Sequence, residues 1–281
     1  MDQRIKIVFL DIDGTLVVSG CEASKMAIDA IQQVRKNGHK VYLSTGRPIS
    51  SVSTAVKNIP VDGGIYSAGR YVIADKEILS DKYMSMEVVR LLQDVLLDLK
   101  AKRSIESSEG VFVDQYDDSW GITYDEWLRF RNVICGRNAV SMEQFNNNPT
   151  YKMVFISPSE ACVAQIRLAV SELQNNKIDI PLSIVVFGKM VPGIPLIVGE
   201  ISDPSVNKGS ALLEICDHYQ IDPEDTIAFG DSMNDAPIIL QAGIGIAMAN
   251  SEPELMEIAD WSCGSVEEDG IVEAFRQLEL M

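Results

Sequence analysis

Two aspartates, Asp11 and Asp13, follow the apolar run Ile7-Val8-Phe9-Leu10 and are followed at once by Gly14. In extended backbone, side chains two residues apart point the same way. Two carboxylates held that close repel unless a cation or a shared proton lies between them. The plainer reading is a turn, since Asp and Gly are ordinary residues at a strand end. A second acidic stretch, Gly230-Asp231-Ser232-Met233-Asn234-Asp235, follows another apolar run, Thr226-Ile227-Ala228-Phe229. Carboxylates from two strand ends can meet only if those strands are neighbours in one sheet. They would then suit Mg²⁺, which takes a few carboxylate oxygens, keeps waters and accepts substrate phosphate oxygens. No His or Cys stands near either stretch, and all-oxygen ligation favours Mg²⁺ over zinc.

Two further places could handle an anion. Thr45-Gly46-Arg47 follows the run Lys40–Ser44 and precedes Pro48, so the spacing predicts a helix opening here, with a hydroxyl and backbone N–H groups at its start. The same tripeptide can serve as no more than a helix cap and a loop, and Arg47 reads equally well as a surface ion pair. Lys208, in Val206-Asn207-Lys208-Gly209, also stands at a predicted helix start, 23 residues before Asp231. A cation is mildly disfavoured there by the helix dipole, which argues for a role beyond solvation.

Asp11-Ile12-Asp13-Gly14-Thr15-Leu16 resembles the first motif of the haloacid dehalogenase superfamily of phosphotransferases, and three further motifs follow in order at Thr45, Lys208 and Asp231. The resemblance implies that Asp11 is the nucleophile and Asp13 the acid/base. It implies that Thr45, Gly46, Lys208 and Asn234 hold the phosphate, that Asp235 supports the lysine, and that Asp11, Asp13 and Asp231 surround Mg²⁺. The implied activity is hydrolysis of a small phosphorylated metabolite, such as a sugar phosphate or phosphorylated cofactor, through an aspartyl phosphate. A phosphosugar mutase and a non-catalytic binding or regulatory module are the alternatives. A carboxylate two residues after the nucleophile favours hydrolysis, because the ion-pumping relatives carry Thr there. Relatives of this architecture often show Asn-Gly after the third strand, where this chain has Ala68-Gly69.

The elements that would position these residues alternate between strand and helix. Ala27, Ile31 and Val34 mark an amphipathic helix ended by Gly38; Lys40–Ser44 and Gly63–Tyr66 read as strands. That alternation implies βαβ units and a doubly wound, Rossmann-like parallel sheet. From about Asp81 the pattern changes to a helix over Met84–Leu99, strands near 111–113, 153–156 and 184–187, and a helix near 160–173. We read 1–82 and 193–281 as the two parts of a catalytic core and 83–192 as an inserted α+β domain, which the resemblance identifies as a type IIB cap. Trp120, Tyr124, Trp127 and Phe130 are read as the core of that insert, with a substrate-facing surface as the alternative.

Composition narrows the rest. The chain of 281 residues is 46% hydrophobic and carries a net charge of −17. Such an acidic surface argues against a generic nucleic-acid or anionic-membrane partner, so positive charge for an anionic substrate must be local. Five scattered cysteines without a C-x-x-C read as free thiols of a reducing cytoplasm. The first apolar run is too short for a signal peptide, and the apolar-rich tract from Pro237 to Ala249 is too short to span a bilayer. Oligomeric state is not legible.

Overall fold

The structure is a computed structural model that describes residues 4–18, 21–136, 138–176, 178 and 181–281. The chain runs β1 (Ile7–Asp11), α1 (Lys25–Lys36), β2 (Lys40–Ser44), α2 (Thr54–Lys57), β3 (Gly63–Tyr66), β4 (Tyr71–Ala74) and β5 (Glu77–Asp81). It continues through α3 (Met86–Asp98), β6 (Lys102–Ser107), β7 (Val111–Val113), α4 (Tyr124–Ile134), β8 (Val140–Ser141), β9 (Thr150–Ser157), α5 (Glu160–Asn176), β10 (Ser183–Gly188) and β11 (Ile197–Ser202). Then come α6 (Lys208–Tyr219), β12 (Thr226–Gly230), α7 (Ala236–Gln241), β13 (Ile244–Met248), α8 (Pro253–Ile258), β14 (Trp261–Cys263) and α9 (Gly270–Gln277). Two compact units result. The first holds the chain up to Arg47, Val52–Asp81 and Val206–Met281; the second holds Pro48–Ser51 and Lys82–Ser205.

The first unit is an α/β layer built on one sheet, ordered β14-β13-β12-β1-β2-β3-β4-β5. Every residue of β1 is buried, as its continuous apolar run requires of a strand covered on both faces. One face puts Ile7, Phe9, Tyr42 and Ala228 against Ala211, Leu212 and Ile215 of α6. On β12, Phe229 meets Phe275 of α9 edge-on, with ring centroids 5.7 Å apart. Strands β1 and β12 are parallel neighbours in the register Leu10↔Phe229, so the acidic loops that follow them emerge side by side. The sheet is mixed, not parallel throughout. β4 and β5 form an antiparallel hairpin on β3, turning through Asp75 and Lys76 at φ 48° and 74°. The sequence gives little notice of that turn, because neither residue is glycine.

The second unit is α+β, with a sheet ordered β10-β11-β9-β6-β7-β8. Along β9 the alternation is plain. Met153 and Phe155 pack with Val89 and Leu92 of α3 and Ile166 of α5, while Val154 and Ile156 face Trp127 and Phe130 of α4. Those two aromatics are therefore core, as expected, whereas Tyr124 is exposed. The expected return to the first unit at 193 is corrected by β11, which lies between β9 and β10 and keeps the chain in the second unit to Ser205. An apolar strand run does not reveal which sheet it joins, and β11 reads like a core strand of either.

The helix expected directly after Thr45-Gly46-Arg47 does not form. A 3₁₀ turn occupies Ile49–Ser51, and α2 starts only at Thr54, capped by the Ser53 hydroxyl, which accepts from the Val56 N–H. Ser and Thr side chains compete with the helix for backbone partners, and this stretch is dense in them.

Candidate active site

Asp11 ends β1 and is almost fully buried. Its Oδ1 accepts from the Nζ of Lys208 at 2.6 Å. Lys208 is the first residue of α6, after the N-cap Asn207, whose side chain accepts from the Ser210 N–H. The helix start is thus fixed by a reciprocal cap, and the lysine side chain, with no solvent exposure, points inward. Its ammonium also donates to Asp235 Oδ1 at 2.5 Å and to Asn234 Oδ1 at 3.2 Å. Burying a lysine is unfavourable on its own, so the paired carboxylates decide the outcome. Burial lowers the pKa of Lys208, but the charges of Asp11 and Asp235 and their hydrogen bonds more than offset it, and the ammonium is held well above the usual lysine range.

The loop after β12 folds on itself through Asp235. Asp235 Oδ2 accepts from the N–H groups of Asp231 and Ser232, at 3.1 and 3.2 Å. With Oδ1 on Lys208, both oxygens of this fully buried carboxylate are occupied. Asp11, Asp231 and Asp235 each bring an oxygen within 4.8 Å of the others. Asp231 Oδ1 is buried and has no hydrogen-bond partner. Burial first, then the charge of Asp235, pushes the Asp231 carboxyl up to about 6. Burial also raises the Asp11 carboxyl well above the ordinary carboxylate range, against the pull of Lys208. Buried Asp11 beside half-buried Asp231, whose buried Oδ1 has no partner, makes a donor set that fits a hard divalent cation. Asp11 and Asp231 could hold it, with Asp235 fixed as the brace between lysine and loop.

Gly14 makes this approach possible. A Cβ there would lie 2.2 Å from Asp231 Oδ2, and the residue sits at φ +85°, in the region where glycine alone is unstrained. Around it, Asn250 donates from Nδ2 to the Gly14 carbonyl at 2.8 Å and accepts from the Val266 N–H. The Glu252 N–H donates to the Asp231 carbonyl at 2.9 Å. The loop after β13 therefore clamps both acidic loops. Sequence reasoning missed Asn250, although an Asn-Ser pair just past a buried strand was a signal available to it.

The Asp13 carboxylate is not part of the Asp11–Asp231–Asp235 cluster. β1 ends at Asp11 and the chain turns through Ile12, so alternation along an extended strand no longer applies. Asp13 instead takes a forked ion pair from Arg47, at 2.6 Å from Nε to Oδ2 and 2.7 Å from Nη2 to Oδ1. Arg47, for which the sequence offered a surface ion pair as one reading, forms one with the candidate acid/base.

Thr45 is buried at the end of β2, and its Oγ1 accepts from the Arg47 N–H at 3.1 Å. A Cβ on Gly46 would stand 3.6 Å from Asn234 Nδ2, so the loop after β2 lies beside the Asn234 amide. The loop after β3 braces it: Ser67 N–H donates to the Arg47 carbonyl and Ala68 N–H to the Thr45 carbonyl, at 2.9 and 3.0 Å. Ser67 and Ala68 hold φ of 49° and 54° to do so. The site thus brings Asp11, Lys208, Asn234, Asp235 and Asp231 together, with Thr45 and Gly46 alongside and Asp13 set apart on Arg47. His39 and His218 take no part in it.

Comparison with known proteins gives the family. The chain matches the family of haloacid dehalogenase-like hydrolases over residues 8–275 and belongs to that family. It is 27% identical to the 5-amino-6-(5-phospho-D-ribitylamino)uracil phosphatase YitU of Bacillus subtilis, covering 99% of this chain and 98% of that one. It is 23% identical to the HMP-PP phosphatase of Yersinia enterocolitica, covering 90% and 86% respectively. Among solved structures, the phosphatase BT1666 of Bacteroides thetaiotaomicron superposes with a TM-score of 0.79 at 22% identity, covering 99% and 96%. The subclass IIB sugar phosphatase BT4131 gives a TM-score of 0.74 at 22% identity, covering 98% and 100%.

Proposed function

We propose that this chain is a Mg²⁺-dependent phosphatase that hydrolyses the phosphate monoester of a small metabolite through an aspartyl phosphate on Asp11. The observation that carries the reading is the buried Asp11–Lys208–Asp235 chain beside Asp231, whose free oxygen calls for a cation. Similarity to phosphatases of small phosphorylated compounds supports the substrate class, a sugar phosphate or phosphorylated cofactor. Among the described residues no helix is long and apolar enough to cross a membrane.

In this reading Asp11 and Asp231 hold the metal, which when bound screens the negative charge of phosphate and nucleophile. An Asp11 oxygen attacks phosphorus as the ester P–O bond breaks. Lys208 stays on Asp11 throughout, and with the Thr45 hydroxyl, the Gly46 N–H and the Asn234 amide it stabilises the charge on the transferring group. Asp13, oriented by Arg47, gives its proton to the departing alkoxide. It then takes a proton from the water that attacks the aspartyl phosphate, which releases inorganic phosphate and restores Asp11.

The test separates the two aspartates. Asp11→Asn should form no phosphoenzyme with any substrate. Asp13→Asn should lose roughly 10²–10⁴-fold on an alkyl phosphate while still transferring phosphate from an activated aryl ester. With labelled aryl phosphate, acid-quenched Asp13→Asn protein should therefore hold more covalent label than wild type. Turnover by Asp11→Asn, or full wild-type activity in excess chelator, would refute the assignment.

A further inference from the structure

The edge of the first unit's sheet opposite Asp11 carries a cavity of about 170 Å³. Its walls include Arg4, Lys6, His39, Ile227, Ile244 and Leu280. These residues come together because β1, β2, β12 and β13 are parallel and begin at this edge, with Ile227 and Ile244 in register. β1 separates the cavity from Asp11 by its own length, roughly 13 Å at about 3.3 Å per residue.

His39 is 3% exposed, and its Nδ1 accepts from the Lys6 backbone N–H at 3.1 Å. A neutral imidazole that accepts at Nδ1 carries its proton on Nε2. Burial, aided by the positive charge of Lys6, holds the ring below the ordinary histidine pKa and so keeps it neutral near pH 7. Yet the buried Nε2 has no hydrogen-bond partner, and a buried donor left unpaired is unfavourable. Beside it, Arg4 Nε and Lys6 Nζ both donate to Asp225, at 2.8 and 2.6 Å. Two cations share one carboxylate, which leaves a net positive charge at the cavity. The other side is aliphatic, with Ile227 and Leu280 almost fully buried.

We propose that this cavity binds a small amphipathic carboxylate, its head group on His39 Nε2–H and the Arg4–Lys6 pair, its apolar body against Ile227, Ile244 and Leu280. One net charge and one directed N–H match a monoanion. A phosphate dianion would bring excess charge and leave the aliphatic wall uncovered. The volume, on the order of six water molecules, suits a short branched or aromatic acid. The site does not depend on the catalytic reading, because none of its residues belongs to the Asp11 cluster.

The chain has two histidines, His39 and His218, so imidazole NMR on the whole protein reads the site directly. Isovalerate or benzoate should shift the His39 ring resonances saturably and leave those of His218 unchanged. Acetate should bind about tenfold or more weakly, for want of the apolar contact, and inorganic phosphate likewise. Ile244→Trp, which fills the cavity, should abolish the response; if that variant does not fold, Leu280→Gln should weaken it by about tenfold. Asp11→Asn should leave it unchanged. The proposal is overturned if His39 shows no saturable shift, if phosphate or acetate acts as strongly as isovalerate, or if a folded cavity variant binds as wild type does. Loss of the response in Asp11→Asn would place the acid in the Asp11 cluster and overturn it too.

Discussion

Replacing Lys208 by Met tests whether the lysine is the electrostatic keystone of the Asp11–Asp235 pair. Met has nearly the same length and keeps the packing while removing the charge. It leaves two carboxylates, both buried, without the ammonium that stands 2.6 and 2.5 Å from them. Each acid must then ionise in a poor dielectric or bind a proton. The ordinary value for Asp is 3.8. Holding such a group neutral at pH 8 costs up to 1.36 × (8 − 3.8), about 6 kcal/mol, against about 1.6 kcal/mol at pH 5. Relaxation limits the loss, and breaking a buried pair by removing one partner typically costs about 3–5 kcal/mol. At roughly 2–4 °C per kcal/mol for a unit of this size, the first unit's Tm should fall by about 6–20 °C at pH 8. The sign with pH follows from losing Lys208, whose charge and hydrogen bond hold the Asp11 carboxyl down against burial; without them its folded-state pKa rises further, and the added loss of stability grows as pH rises. The deficit should therefore shrink at pH 5. Adding Asp235→Asn to Lys208→Met should recover part of the loss, because the amide can still accept from the Asp231 and Ser232 N–H groups. The assay is calorimetry in chelator on wild type, both single variants and the double variant at the two pH values. A Lys208→Met deficit that is the same at pH 5 and pH 8, or a double variant no more stable than Lys208→Met, would refute the electrostatic account.

Three further outcomes follow from the same geometry. Gly14→Ala forces a Cβ to within 2.2 Å of Asp231 Oδ2 at a left-handed φ; displacing that carboxylate should lower kcat by roughly 10²-fold, and a kcat within a factor of two of wild type (about 0.4 kcal/mol) would contradict the packing. Asp231 is held at about 6, so its folded-state carboxylate is penalised as pH rises through the window from 3.8 to 6; Asp231→Asn should raise metal-free stability at pH 8 by about 1 kcal/mol after allowance for partial exposure, and abolish the Tm gain on adding Mg²⁺. Ala68 holds a left-handed φ of 54°, which Asn tolerates better, so Ala68→Asn should stabilise the protein by up to about 1 kcal/mol, read as a higher urea midpoint at unchanged slope.

Much of the first unit was legible because its strands are buried on both faces, and a continuous apolar run needs no partner to be recognised. Ile7–Leu10 and Thr226–Phe229 announced themselves, and their exit loops carried the acids. Helix α6 was legible from Ala211, Leu212 and Ile215 on one face. What failed depended on pairing or on backbone conformation. The β4–β5 hairpin turns through Asp75 and Lys76 without glycine, and β11 joins the second sheet although its composition suits the first. Inside the second unit, α4 was hidden by its own composition. Its buried face is carried by two aromatics, Trp127 and Phe130, too few for a 3.6-residue period to stand out.

The site divides along the same line. Asp11 and Lys208 were identifiable because one ends and the other opens a regular element, whose direction fixes where the side chain goes, whereas Asp235 was read only through the family resemblance. The direction of Asp13 was not legible from alternation, because β1 ends at Asp11, two residues before it. Its true partner, Arg47, lies 34 residues away in a loop whose course depends on Ser67 and Ala68 accepting strained backbone to hold it. No local pattern encodes that contact; it exists only once β1, β2 and β3 lie side by side. The forked pair fits the different roles proposed for the two acids, which stand two residues apart. Asp11 is placed by a buried ammonium and kept from water, whereas Asp13 is placed by a guanidinium at the surface, within reach of solvent protons. A nucleophile needs the first environment, and a group that must gain and lose a proton in each cycle needs the second.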